Sequence, residues 1–208
     1  MRDPADLLDQ VRALLAPAAL RFGVELSDRL VASLALYARR LLEWNQQINL
    51  SGARDLETLT LEHLADALAL APHLPATGRC IDVGSGAGLP GIVLALLRSD
   101  LDWQLLEPLQ KRRAFLNAVV RELELRNVTI SADRLEEHAS MQGGAYDFAI
   151  ARAVLPLPVW LAEGSRLVKS GGTVAGLAGG SPEHSPAGAV LLPYDAGSGP
   201  RTVVLVRQ

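Results

Sequence analysis

With 208 residues, 49% of them hydrophobic and 21% charged, the chain has the size and balance of one α/β domain with an appendage, which excludes wholesale disorder. Its net charge of −3, from 20 Lys+Arg against 23 Asp+Glu, excludes a general nucleic-acid coat, because such a protein needs a basic face to displace counterions. Only Lys111 and Lys169 are lysines, so 18 of the cations are arginines, the side chain suited to bidentate contact with phosphate and carboxylate.

Residues 1–75 read as helical. Leu7, Leu8, Val11, Leu14 and Leu15 share one side of a helix expected over Pro4 to Ala16. Ser27 is the expected N-cap of a second helix, in which Leu30, Val31, Leu34, Ala38, Leu41 and Leu42 recur at helical spacing. A third runs from Asp55 through the 60s and stops before Pro72 and Pro75. This segment holds 7 arginines and 10 acids, whereas residues 76–208 hold 13 basic and 13 acidic side chains. The acidity therefore resides in the N-terminal helices.

From Arg79 onward the pattern alternates. Strands are expected at Cys80–Val83, Trp103–Leu106, Val128–Ala132, Tyr146–Ala151 and Thr173–Leu177, with helices at Pro90–Arg98, Leu109–Leu123 and Pro156–Val168. Such alternation gives an α/β fold with a doubly wound, mostly parallel sheet. A hairpin of Ala189–Tyr194 and Thr202–Val206 closes it, after a Gly/Ser/Pro-rich loop at Gly176–Gly188. The expected division is a helical extension over 1–75 and a cofactor-binding domain over 76–208.

Several absences narrow the chemistry. Cys80 is the lone cysteine, so neither an internal disulfide nor a cysteine zinc site is available, and no metal is expected. The start MRDPADLLDQ carries acids where a signal peptide carries basic residues. No apolar run is long enough to span a bilayer. The expectation is a cytoplasmic protein without a membrane partner.

The strongest chemical signal is the segment Asp82-Val-Gly-Ser-Gly-Ala-Gly-Leu-Pro-Gly91. It follows a strand and opens a helix, so its glycines allow a tight turn and close ligand approach. Residues 86–91 also satisfy the G-x-G-x-x-G dinucleotide pattern. Asp82 favours the other reading: a carboxylate there repels a pyrophosphate but complements the ammonium of S-adenosylmethionine. Glu107, at the end of the next strand, suits ribose hydroxyls in either ligand.

DVGSGAGLPG, with LLEPLQKRRAFL, RLEE and YDFAIARA, resembles the RsmG (GidB) family of bacterial 16S rRNA methyltransferases. LLEWNQQINLSGARD and EHLADAL are similar to that family's W-N-x-x-I-N-L and H-x-x-D-S-L signatures. The resemblance spans about residues 35–180. It implies a class I methyltransferase (Rossmann-like) fold, with a mostly parallel seven-stranded sheet, a C-terminal antiparallel hairpin and an N-terminal helical extension. The implied activity is methylation of guanine N7 in the decoding-region loop of 16S rRNA, with S-adenosylmethionine as cofactor. The implied partner is 16S rRNA or the small ribosomal subunit, met by a monomer.

Residue roles follow from the same resemblance. Asp82, Gly84, Ser85, Gly86, Gly88 and Leu89 would surround the cofactor's methionine and ribose, Glu107 its ribose hydroxyls, and Leu135 and Glu136 its adenine. Arg152 would stand beside the cofactor and the reacting centre as the catalytic residue; the alternative is an ion pair with Glu107 or Asp133. Lys111, Arg112 and Arg134 would contact RNA or stay solvated. His63 and Asp66 either build the cleft or hydrogen-bond each other, Asn45 and Asn49 cap a helix end, and Cys80 is core. Two departures from the family pattern bear on substrate contacts: Ala178-Gly179 replaces Lys-Gly after the fifth strand, and Ala67 replaces the serine of H-x-x-D-S-L.

The reaction so implied needs no base, since guanine N7 carries a lone pair and no proton. The chain agrees in offering no Ser–His–Asp set, and Ala151-Arg152-Ala153-Val154-Leu155-Pro156 stands where an adenine amino-methylase carries Asn/Asp-Pro-Pro-Tyr. Fold alone leaves open a small-molecule methyltransferase, and a non-catalytic nucleotide- or RNA-binding protein that keeps the pocket.

Overall fold

Ser27 does cap a helix: its hydroxyl accepts from the Leu30 backbone N–H, and α2 runs over Asp28–Asn45. The computed structural model describes residues 4–182 and 186–208. Before α2 lies α1, Pro4–Phe22, which continues past the expected end at Ala16 and contains Pro17. Pro17 and Ala13, whose carbonyl loses its helical partner, are both exposed, on the solvent side of the helix, while Ala18 and Ala19 bury on the inner side. Asp55 caps the third helical stretch through the Thr58 N–H. That stretch comprises α3 (Leu56–Leu59), a π-helical turn (Thr60–Leu64) and α4 (Ala65–Leu70), and a short 3-10 turn at Ala71–His73 absorbs Pro72.

Strands β1 (Arg79–Val83), β2 (Asp102–Leu106), β3 (Val128–Ser131), β4 (Tyr146–Ala151), β5 (Val168–Gly179), β6 (Val190–Asp195) and β7 (Pro200–Arg207) form one sheet in the order β3-β2-β1-β4-β5-β7-β6. Pairings from β3 through β5 are parallel, whereas β7 is antiparallel to both β5 and β6. The expected seven-stranded sheet with a closing hairpin is present. Between strands lie α5 (Gly91–Leu97), α6 (Gln110–Glu122), α7 (Leu135–Gln142) and α8 (Leu157–Gly164).

Three boundaries differ from expectation. The RLEE segment opens α7, a helix whose weak periodicity hides it in the sequence. The helix expected to reach Val168 stops at Gly164, where an added Cβ would lie 2.7 Å from Val174. Finally, β5 begins at Val168 and extends through Gly179, because it pairs with β4 on one side and β7 on the other. Gly176–Gly179 are therefore strand rather than loop, and residues 183–185 of that expected loop lie outside the described residues.

Side-chain alternation along the strands divides the core in two. Cys80, Trp103, Leu105, Phe148, Ile150 and Val203 face the N-terminal helices, α5 and α6. Ile81, Val83, Ala149, Ala151 and Val204 face α7 and α8. The helical extension thus shares a core with one face of the sheet. Phe115 of α6, fully buried, meets the rings of Tyr37 and Trp44 from α2 at centroid distances of 6.4 and 5.6 Å. Burying such a ring contributes roughly 1.5–3 kcal/mol.

Candidate active site

The strand order reverses between β1 and β4, and a crevice forms beyond the carboxyl ends of strands at such a point. A cavity of about 590 Å³ lies there, walled by the glycine loop, Glu107 and residues 133–136. A second, of about 390 Å³, adjoins it at the ends of β4, β5 and β7. His63 and Arg152–Leu155 line both cavities.

Left-handed backbone at Gly84, Gly86 and Gly88, with φ of +65°, +58° and +87°, makes the loop. The three differ in what surrounds them. A Cβ at Gly84 would lie 2.4 Å from Val154, and one at Gly88 equally close to Ile92, but one at Gly86 would make only ordinary contacts, at 3.8 and 3.9 Å. Gly84, Ser85, Gly86 and Leu89 line the first cavity. Gly88 turns the chain behind it, its N–H donating to the Ser85 carbonyl at 2.7 Å. The Ser85 hydroxyl donates inward to the Asp82 carbonyl.

Asp82 differs in position from the expectation. Its carboxylate is fully buried beneath the loop, where Oδ2 accepts the Gly91 N–H at 2.9 Å and Oδ1 has no partner. Gly91 has to be glycine for this contact, since its Cβ would fall 2.6 Å from Oδ2. The first N–H of α5 is therefore consumed internally by a carboxylate behind the loop and is not offered to a ligand phosphate. Burial pushes the Asp82 carboxyl up to about 7.

That shift has a sign. The folded state holds the Asp82 proton between about pH 4 and pH 7 while the unfolded chain has released it, so this group's contribution to stability falls as pH rises through that window. Asp82→Asn, an uncharged isostere, is expected to match the parent's thermal midpoint near pH 4 and exceed it above pH 7. Parallel midpoint curves from pH 4 to 8 would contradict this account.

Glu107, 2% exposed, accepts from Gly86 N–H at 2.9 Å and Leu109 N–H at 2.8 Å. A carboxylate offers about four acceptor positions, so capacity remains for ribose hydroxyls. Arg112 lies 3.9 Å from Glu107 and lines the first cavity. Arg134 also lines it, beside Leu135 and Glu136, whereas Lys111 is exposed on α6 outside the lining. Of the three cations assigned to RNA, two therefore border the cofactor cavity. These features fit S-adenosylmethionine: a carboxylate at the ribose position and an apolar wall at Leu135.

Arg152 follows β4 directly. Its guanidinium donates through Nη1 to His63 Nδ1 and lies 3.9 Å from Asp66. The ion-pair partners suggested by sequence, Glu107 and Asp133, are replaced by these N-terminal residues. His63 and Asp66 do not bond each other; both converge on Arg152, His63 from the π-helical turn and Asp66 from α4. Burial and the neighbouring Arg152 push the His63 imidazole down to about 4, so it is neutral at pH 7 and accepts from Arg152. Ala153 then adopts φ of +56°, strained for a residue with a Cβ, where the chain turns between the cavities.

Other contributors were not legible in sequence. The Tyr37 hydroxyl donates to the Ala87 carbonyl at 2.7 Å, tying α2 to the glycine loop. Asp133 lines the first cavity and is held by His138 Nδ1 at 2.8 Å. Asn45 does more than end α2. Its Oδ1 accepts from Leu50 and Ser51 N–H, and its Nδ2 donates to the Ser51 and Ala53 carbonyls. Leu50, Ser51 and Gly52 form one rim of the first cavity, while Asn49 stays exposed. Loss of four modest bonds in Asn45→Ala is expected to weaken S-adenosylmethionine binding by roughly tenfold, measurable by calorimetry. Undiminished affinity would remove the rim from the binding account. Cys80 is buried with its thiol pushed up to about 12, inert core as expected.

The family model for GidB, rRNA small subunit methyltransferase G, matches residues 30–187. Relatives carrying the name ribosomal RNA small subunit methyltransferase G include one from Acetivibrio thermocellus, 37% identical over 84% of this chain and 74% of its own. Another, from Xanthomonas oryzae pv. oryzae, is 38% identical over 80% of each. Among solved structures, a Corynebacterium glutamicum protein covers 83% of this chain and 90% of its own at TM-score 0.60 and 17% identity. A precorrin-6y C5,15-methyltransferase from Geobacter metallireducens covers 77% and 94% at TM-score 0.54 and 16% identity. Likeness at that level speaks for the fold, while the family match and the relatives speak for descent: the chain belongs to the GidB family of small-subunit rRNA methyltransferases.

Proposed function

We propose that this chain transfers the methyl group of S-adenosylmethionine to N7 of a guanine in the decoding-region loop of 16S rRNA, acting as a cytoplasmic monomer. The observation that carries the reading is the pair of adjoining cavities that share Arg152, one fitting the cofactor and the other open to a base. When bound, the cofactor supplies an electrophilic methyl group on a sulfonium.

The residues then have little proton chemistry to perform. The N7 lone pair attacks directly, so His63, neutral and already accepting from Arg152, is not asked to be a base. Arg152 orients: an N–H donated to guanine O6 leaves the adjacent N7 free and sets its approach. The positive charge that moves onto the base is opposed by Arg152 and offset by the buried carboxylate of Asp66. Leu89, Val154 and Leu155 keep the junction apolar and limit water. Among the described residues, no group of three or more His, Cys, Asp or Glu is placed to hold a metal, and no helix is long and apolar enough to cross a membrane.

The test is methyl transfer from labelled S-adenosylmethionine to small subunits, naked 16S rRNA and small acceptors. Label confined to one guanosine, with strand scission after borohydride and aniline treatment, supports N7. Label on a small acceptor but absent from rRNA overturns the reading.

A further inference from the structure

The second cavity has a cationic wall that no sequence motif announced. At the end of β5, Ala178 and Gly179 contribute no polar side chain to it. Arg201, paired with Gly179 in the β5–β7 register, lines the same cavity. Its guanidinium is one-quarter exposed and loosely held, with Nη1 3.3 Å from Asp66 Oδ2 and Nη2 3.3 Å from Ser198 Oγ. Its Nε is buried with no acceptor.

Asp66 sets that position. The carboxylate is 1% exposed and accepts the Tyr194 hydroxyl at 2.6 Å through Oδ1. Tyr194 and Arg201 face each other in the β6–β7 register, so one buried acid from α4 anchors both strands of the last hairpin. Arg152 and Arg201 both approach this single carboxylate at its Oδ2, at 3.9 and 3.3 Å. Among the described residues lining the cavity, two guanidiniums against one acid leave a local excess of one positive charge, in a chain whose total is −3. The excess sits beside the apolar wall of Leu157, Trp160 and Leu177, an arrangement that suits a base with an attached anion.

We propose that Arg201 is the contact for an RNA phosphodiester next to the target base, and that Asp66 and Tyr194 are its positioning residues. This rests on the proposed RNA substrate. Arg201 supplies from β7 the cation absent at Ala178, and divides the work with Arg152: one holds the backbone and the other the base. Arginine suits the task because its fork keeps donors free for phosphate while one edge stays on Asp66.

The experiment compares the full chain with Arg201→Gln and Arg201→Lys, using naked 16S rRNA in steady-state transfer and in equilibrium binding at several salt concentrations. Arg201→Gln should raise the KM for RNA about tenfold with little change in kcat or in S-adenosylmethionine affinity. The slope of log affinity against log salt should shrink by about 1, the signature of one lost phosphate contact. Arg201→Lys, which keeps the charge, should retain the parental slope and most of the KM. An unchanged slope and KM in Arg201→Gln would overturn the proposal. So would a lowered melting point and weakened cofactor binding without a slope change, since a hairpin strut would produce that. The binding series needs no turnover, so if the parent enzyme methylates no RNA, the reading of the reaction fails while the Arg201 contact is still decided by its slope.

Discussion

Arg152→Ala is expected to lower kcat by a factor of about 100 or more, while S-adenosylmethionine affinity stays within about threefold. The magnitude follows from its position: among the described residues it is the one cation lining both cavities, so its loss removes orientation at the junction, and misplacement of reacting groups by about 1 Å costs on the order of 100-fold. The fold should survive, because Asp66 keeps the Tyr194 hydroxyl and Arg201 after the substitution. Arg152→Lys should recover little, since a single compact ammonium does not reproduce the planar fork that faces His63 and Asp66 while aiming a donor at O6. Near-normal turnover in Arg152→Ala, with circular dichroism unchanged, would remove it from the reaction.

The second large effect is expected at Gly84. Valine there places Cβ against Val154, which is also part of the cavity junction, and forces a β-branched residue to φ of +65°. The left-handed conformation costs about 1–2 kcal/mol for a residue with a Cβ, and the clash adds roughly 1–3 kcal/mol. Together these predict a loss of about 2–5 kcal/mol of stability, read as a lowered melting point of the free protein. Gly86→Ala serves as the contrast: its Cβ makes only ordinary contacts, its nearest neighbours 3.8 and 3.9 Å away, so only the backbone cost applies in the free protein. Equal effects of the two substitutions on the free protein's melting point would show that the Val154 contact does not constrain the loop.

The legible parts of the site were those carried by a short contiguous pattern. The glycine loop announced itself because close backbone approach and positive φ can be met by few residues, and Glu107 because it ends a strand that pairs beside that loop. Asp82 was legible as an acid, but its burial under the loop was not, since the contact that buries it comes from Gly91 nine residues on. Arg152 was legible as a residue after β4, although its partners were misassigned: sequence offered the acids of neighbouring strand ends, and His63 and Asp66 come from the other end of the chain. Likewise α7 escaped notice because its eight residues carry little periodicity, and β5 grew past its expected ends because pairing on both sides outweighs its run of glycines.

By itself the sequence determined the alternation of strands and helices, the closing hairpin, the glycine loop and, through several ordered motifs, the family. These depend on local spacing, on periods of 2 and 3.6, and on residue types with narrow uses. Only the tertiary structure decided that Asn45 shapes the cavity rim, that Tyr37 holds the Ala87 carbonyl, and that Asp66 joins Arg152, Tyr194 and Arg201. Such contacts link residues up to 135 positions apart. Their geometry arises when the helical extension packs on one face of the sheet and meets the closing hairpin there, a consequence of packing that no local pattern encodes.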